Sequence, residues 1–274
     1  MCGIFGIIAT SNELKKNKKK ITEIIRFLGI RSQSRGKDSS GLCYYDQSND
    51  EINIFKGPIA SKYLFNNKNL KSGLDIGLSK PERTSYVFGH SRLVTNGTQL
   101  DDNNNQPLIV DKIIGVHNGI VVNVDELWNK NTRLKRKNDI DSEVIFALIK
   151  NRIINDSLTL ESAVSKTMNE ITGTAAIAFV DITKNKFVLA TNNGSLYTIK
   201  KNDESIIFAS ERVILNQLKH KLNLKYSDVN PLHSGYGISI SLDDLVISSF
   251  SFNDKLLLSS NKDPKPVVRI NSKN

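Results

Sequence analysis

Cysteine is almost absent from this 274-residue chain: Cys2 and Cys43 are the only two. Two thiols cannot build a disulfide scaffold or a four-cysteine zinc site, so a reducing cytoplasm is the expected setting. No stretch approaches the roughly 20 apolar residues of a membrane-spanning helix. The N-terminus, apolar first and basic afterwards, inverts the order of a secretory signal. Neither a targeting segment nor a membrane partner is expected. Proline and glycine gather nowhere into a linker, and no internal repeat is visible. His220 and His233 share no metal-ligand spacing, so no metal site is expected, and no organic cofactor is implied either. The Ser-x-x-Lys and Gly-x-Ser-x-Gly signals of serine hydrolases are absent from any convincing strand-to-helix turn.

Charge of one sign is in excess, with 38 basic against 28 acidic residues and a net charge of +10. Such a balance invites a nucleic-acid or acidic partner. Its distribution argues otherwise. The densest run, Lys15, Lys16, Lys18, Lys19 and Lys20, adjoins Ile21, Ile24, Ile25 and Leu28 at helical spacing. That pattern is the solvated side of an amphipathic surface helix. No zinc finger, RNP aromatic pair or arginine-rich reading helix accompanies it, and nucleic acid is not an expected partner.

Short apolar runs bounded by turn residues predict strands over Gly3–Ala9, Leu42–Tyr45, Ile52–Phe55, Tyr86–His90, Ile113–His117, Thr174–Asp181, Phe187–Ala190, Ser205–Ala209 and Gly237–Ser241. Helical spacing over Ser142–Ile153 brings Val144, Ile145, Leu148 and Ile149 to one face, and Ser157–Ile171 aligns Leu160, Val164 and Met168. Strands in both halves with helices between them predict an α+β fold of two sheets with helices packed outside. Patterning fades near residue 250. One domain over 1–250 and a basic tail over 251–274 are expected.

Cys2 is the residue richest in chemistry. Removal of Met1 would leave a thiol and a free α-amine on one residue, the amine with an ordinary pKa of about 7.7–8.0. Such an amine can activate its own thiol with no histidine. The alternative is a small apolar residue opening a buried strand. Position alone leaves both open.

The company of Cys2 distinguishes them. Residues 2–6, CGIFG, resemble the opening of the class II glutamine amidotransferases, and four further segments match that family in order. They are RSQSRGKDSSG at 31–41, GHSRLVTNG at 89–97 followed by NQP at 105–107, HNGI at 117–120, and DSEVI at 141–145. The likeness spans about residues 1–250. It is greatest to the glutaminase domain of glucosamine-6-phosphate synthase, then to that of PRPP amidotransferase.

The resemblance implies a four-layer αββα sandwich of the N-terminal-nucleophile hydrolase type and L-glutamine as substrate. It implies Cys2 as nucleophile, with the Asn118 side chain and the Gly119 amide as oxyanion donors. Without the family context, His-Asn-Gly reads as a hairpin turn. Arg92 would grip the substrate α-carboxylate in two-pronged fashion, aided by Thr95, and Asp141 would take the α-ammonium. Asp141, just before a helix, is equally a plain N-cap. Arg35, Gly36, Asp38 and Gly41 would shape the loop beside the nucleophile, His90 and His117 would be structural, and Cys43 inert core.

Two positions depart from the aminosugar synthases: Leu93 stands where they carry tryptophan, and Asn96 where they carry histidine. The ammonia-using domain of those enzymes is not recognisable in the sequence, so a separate synthetase or transferase subunit is the expected acceptor, and an oligomer is possible. The competing readings are a catalytically silent regulatory module of the same fold and an N-terminal-nucleophile amidohydrolase for another amide.

Overall fold

The computed structural model describes residues 2–94 and 98–252. One antiparallel sheet holds β1 (Gly3–Ala9), β2 (Ser39–Asp46), β3 (Glu51–Gly57), β4 (Ser85–Arg92), β9 (Tyr197–Lys201), β10 (Ser205–Ala209) and β11 (Asn230–Pro231). Their order is β11-β9-β10-β1-β4-β2-β3. The second contains β5 (Leu108–Val110), β6 (Ile113–Val121), β7 (Gly173–Asp181), β8 (Lys186–Thr191), β12 (Tyr236–Ser241) and β13 (Ile247–Ser251), ordered β13-β12-β8-β7-β6-β5.

Successive side chains of a strand point to opposite faces, so a strand between two layers must be apolar at every position. β1 meets that demand. Phe5, Ile7 and Ala9 pack toward the helices α1 (Ser11–Ser32), α2 (Ser61–Leu64), α3 (Lys68–Gly77) and α7 (Arg212–Lys221). Ile4 and Ile8 face the second sheet. That sheet is covered on its far side by α4 (Val124–Lys130), α5 (Ser142–Ile154) and α6 (Leu160–Glu170). The result is the four-layer αββα sandwich.

α1 begins where Thr10 Oγ1 accepts from Glu13 N at 3.2 Å, a side-chain N-cap. Its Ile21, Ile24, Ile25 and Leu28 are buried, while Lys15, Lys16, Lys19 and Lys20 are exposed, as the charge run implied. α6 starts at Leu160 rather than Ser157, because Ser157 takes a left-handed φ of 52° and Thr159 supplies the cap. β6 runs on through Asn118 and Gly119 to Val121, four residues beyond the expected end. The strands that escaped the sequence pattern are β5, β11 and β13 at sheet edges, and β9 inside the seven-stranded sheet, where Thr198, Lys200 and Lys201 interrupt the apolar run. An edge strand half in water has no need of a continuous apolar run.

The two sheets are joined by aromatic rings. Phe187 of β8 meets Phe88 edge-on at 5.2 Å between centroids, with Tyr86 at 5.9 Å and Phe208 at 5.5 Å from the opposite sheet. Phe187→Ala should destabilise the fold by about 3–5 kcal/mol. Urea denaturation with an unchanged m-value would register it; a loss below about 1 kcal/mol would mean the sheets are held elsewhere.

Candidate active site

Antiparallel pairing sets Gly3 of β1 opposite Ser91 of β4, so the start of β1 lies beside the end of β4. Cys2 and Arg92 are thereby neighbours at one end of the sandwich. From the second sheet, β6 brings Asn118 to the same end. Cys2 N donates to Asn118 Oδ1 at 3.0 Å across 116 residues of sequence. With Met1 attached this nitrogen is a peptide amide; removal of Met1 would turn it into the α-amine. The Cys2 thiol lies 3.6 Å from the Leu93 carbonyl. Burial pushes the thiol above its ordinary pKa; the Arg92 charge pulls it down and the Asp141 charge pushes it up.

Asn118 spends its Oδ1 on Cys2, which leaves its NH2 end to donate. Gly119 has φ of 154°, and a Cβ there would stand 1.9 Å from the Thr174 carbonyl oxygen. Glycine is obligatory. Asn118 and Gly119 pair with Ala176 and Ala175 of β7, so His-Asn-Gly is strand here and not the hairpin turn its sequence suggests in isolation.

Beneath the strand runs a buried polar network. Gln106 brackets His117: its Oε1 accepts from His117 N at 2.6 Å, and its Nε2 donates to His117 O at 3.2 Å and to Ser142 Oγ at 3.2 Å. His117 Nε2 faces the Thr174 carbonyl at 3.4 Å, and Nδ1 meets Ser142 Oγ at 2.8 Å. A carbonyl only accepts, so Nε2 carries the proton and Nδ1 takes the serine hydroxyl. Burial lowers the pKa of His117, opposed by the Asp141 charge, and holds the ring neutral. Ser142 Oγ is also 3.3 Å from Asp141 Oδ1, while Asp141 Oδ2 accepts from Val121 N at 2.8 Å. Asp141 makes no side-chain cap on α5, so the N-cap alternative fails: its carboxylate is turned to β6 instead.

Arg92 is 3% exposed. Its NH1 donates to Asn104 O at 2.9 Å and reaches Asn105 Oδ1 at 3.3 Å. Asn104 also binds Asp139 N through its Oδ1 at 3.1 Å, tying the arginine's loop to the loop that carries Asp141. Lys56 fixes the same loop from β3, its ammonium 2.9 Å from Asn105 O. Burial of Arg92 lowers its pKa, and the charges of Cys2, Asp141 and Asp38 oppose that. Thr95, with Asn96 and Gly97, lies outside the described residues. Leu93 is 44% exposed at the rim.

The turn over residues 33–41 braces Cys2 and the neighbouring end of β4. Arg35 Nε donates to Cys2 O at 2.8 Å, and Asp38 Oδ2 accepts from Val94 N at 2.8 Å. Gly36 sits against the backbone of Arg92 and Leu93, where a Cβ would come within 2.2 Å. Sequence reasoning missed Asn104, Gln106 and Ser142 as contributors. Asn104 was hidden in the run Asn103–Asn105, which looks compositional, and Gln106 and Ser142 appeared only as motif letters. His90 and His117 are interior strand residues rather than strand-end ones. His90 is fully buried, neither ring nitrogen makes a well-formed hydrogen bond among the described residues, and burial pulls its pKa down to about 3 against the opposing effect of the His117 backbone. Among the described residues no three histidine, cysteine or acidic side chains form a metal-binding group, and no helix is long and apolar enough to cross a membrane.

Residues 90–217 match the family described as "Glutamine amidotransferase domain". The chain is 28% identical over 218 residues to a glutamine–fructose-6-phosphate aminotransferase (isomerizing) of Shouchella clausii, covering 78% of this chain and 33% of that protein. The corresponding enzyme of Sulfolobus acidocaldarius is 27% identical over 229 residues, covering 82% and 36%. The chain thus spans about a third of the length of these relatives. Among solved structures, glutamine PRPP amidotransferase from B. subtilis, complexed with ADP and GMP, superposes with a TM-score of 0.64 at 21% identity, covering 92% of this chain and 49% of that one. A glutamine aminotransferase class-II domain protein from Silicibacter pomeroyi superposes with a TM-score of 0.51 at 14% identity, covering 90% and 98%. At these identities the structural likeness is one of fold.

The two thiols differ in setting, and their reactivity should follow. Burial raises both pKa values, so both stay protonated at neutral pH. Cys2 is half-buried at the sheet end, whereas Cys43 is sealed between the sheets. Iodoacetamide should alkylate Cys2 increasingly as pH rises above the ordinary thiol range, and Cys43 only on unfolding. Peptide mass spectrometry separates the two; native labelling of Cys43 ahead of Cys2 would contradict this assignment.

Proposed function

We propose that this chain, whose residues 90–217 match the glutamine amidotransferase domain, acts as a class II glutamine amidotransferase and hydrolyses L-glutamine to glutamate and ammonia through a thioester on Cys2. The observation that carries this reading is the 3.0 Å contact between Cys2 N and Asn118 Oδ1. It puts the nitrogen of residue 2 and a side-chain amide at one point, as a self-activating nucleophile with its oxyanion donor requires.

In this reading the α-amine takes the thiol proton as Sγ attacks the carboxamide carbon. The resulting oxyanion is held by the Asn118 NH2 and the Gly119 N–H. Collapse breaks the C–N bond, and the departing nitrogen leaves as ammonia with the proton returned by the α-ammonium. Water then attacks the thioester, the amine takes its proton, and the thiolate leaves and is reprotonated. A thiol kept neutral by burial supports this scheme, because it needs a base at hand and His117 has both ring nitrogens engaged by Ser142 and Thr174.

Arg92 grips the substrate α-carboxylate and Asp141 its α-ammonium, with Thr95 assisting. A zwitterion needs one cation and one anion at fixed separation, which selects a free amino acid. The ammonia then passes to an acceptor centre on a separate synthetase or transferase subunit. The names of the relatives pair glutamine with fructose 6-phosphate and with PRPP, which favours a phosphorylated sugar as acceptor.

The mature protein should have an N-terminal mass one methionine short. Glutamate release should vanish in Cys2→Ala and under an uncleavable N-terminal tag, while a C-terminal tag leaves it intact. Full turnover with the amine blocked would overturn the mechanism. Arg92→Lys should reduce kcat/KM by roughly 2–4 kcal/mol in free-energy terms, since an ammonium cannot reproduce a two-pronged contact. Asp141→Asn should behave similarly. Steady-state kinetics unchanged in both variants would mean that the substrate is no free amino acid.

A further inference from the structure

We infer that Glu211 is a positioning residue for Cys2, acting through Arg35; the inference rests on the reading of Cys2 as nucleophile. A residue at the very start of a chain can be fixed only by its nitrogen, its side chain and its carbonyl. Asn118 holds the nitrogen, and the thiol lies against the Leu93 carbonyl. The third point is the carbonyl, which accepts from Arg35 Nε at 2.8 Å. If that point swings, the Cys2–Gly3 peptide plane turns and carries amine and thiol away from Asn118.

Arg35 is itself aimed. Its NH1 lies 2.6 Å from Glu211 Oε1, in a pair whose side chains are only 11% and 29% exposed. Glu211 occupies the N-cap position of α7 with φ of −134° and ψ of 130°, yet it makes no side-chain cap hydrogen bond. The default employment of an acid at that place is to accept from the helix N–H groups. Here the carboxylate turns to Arg35 instead. The neighbouring Ser210 grips the same strand: its N donates to Ile4 O at 2.9 Å, and its Oγ accepts from Ile4 N at 2.7 Å. Residues 210 and 211 therefore secure residues 2 and 4 from the β10 side, while Asp38 braces the Leu93–Val94 segment on the β4 side.

Glu211 also borders an open cleft of about 390 Å³ with Arg31, Lys37 and Gln217, so a change there leaves the core packing alone. The test compares Glu211→Ala, Glu211→Asp and Glu211→Gln for kcat, KM and pH profile. In Glu211→Ala, kcat should fall about 10- to 100-fold, the scale of a misplacement near 1 Å. KM for glutamine should change less than twofold, because Arg92 and Asp141 are untouched. Glu211→Asp, which keeps the charge, should recover part of the loss. Glu211→Gln keeps the shape and removes a negative charge that favours the α-ammonium, so the acid limb of kcat/KM should move to lower pH. Arg35, Asp38, Arg92 and Asp141 also face this centre and are unchanged in all three.

Iodoacetamide alkylation of Cys2 across pH gives the same readout without turnover. A profile shifted to lower pH in Glu211→Gln supports the positioning role even if the wild-type protein hydrolyses no glutamine. In that case it is the hydrolase reading that fails. Rates, pH limb and alkylation profile matching wild type in the Gln and Asp variants would overturn the proposal. So would equal losses in all three variants with a raised KM. If Glu211→Ala fails to fold, the two conservative variants carry the test.

Discussion

One hydrogen bond connects the two halves of this molecule's chemistry: Cys2 N, at the start of a strand in the seven-stranded sheet, donates to Asn118 Oδ1, on a strand of the six-stranded one. Sheets stacked face to face stand about 10 Å apart, so a bond between them needs a side chain. Residue 2 stands at the end of β1, and the Asn118 side chain meets it from β6. Between the same two layers the rings of Phe187, Phe88, Tyr86 and Phe208 pack against one another.

The site's electrostatics follow from the same enclosure. Arg92 and Asp141 bring opposite charges to the thiol, so their effects on it largely oppose one another and burial decides the outcome. The histidines do not contribute charge. His90 is sealed in the interior and held neutral by burial, and His117 is engaged by Ser142 and Thr174. A cysteine paired with an imidazolium is stored as thiolate. This one is held as thiol by burial, so the proposed chemistry requires a base, the role assigned above to the α-amine.

The central strands were legible because burial on both faces forces a continuous apolar run, as in β1 and in β7. The edges β5, β11 and β13 were not, because water on one side relaxes that demand, and neither was the interior strand β9, whose Thr198, Lys200 and Lys201 break the apolar run. The start of α6 was misplaced by three residues, since the left-handed turn at Ser157 is a property of a single φ angle and leaves no periodicity. Of the site, the residues named from motifs, Cys2, Arg92, Asn118, Gly119 and Asp141, converge at one end of the sandwich. Their supports could not be read. Asn104, Gln106, Ser142 and Glu211 gain meaning only from partners that folding delivers, such as Arg35, 176 positions before Glu211. The helix-capping alternative for Asp141 also looked sound, and only the direction of its carboxylate toward Val121 removes it.

The place of β1 in its sheet has a consequence for how the protein is made. β1 lies between β4 and β10, and Phe5 pairs with Ala209. During synthesis at about 5–20 residues per second, the roughly 200 intervening residues take about 10–40 s to emerge. Through that interval the first strand lacks one of its two neighbours, and an apolar strand edge stands open to pairing with other chains. Once β10 docks, that edge is closed and Ser210 locks onto Ile4. Translation speed along the middle of the message thus sets how long the earliest strand stays exposed.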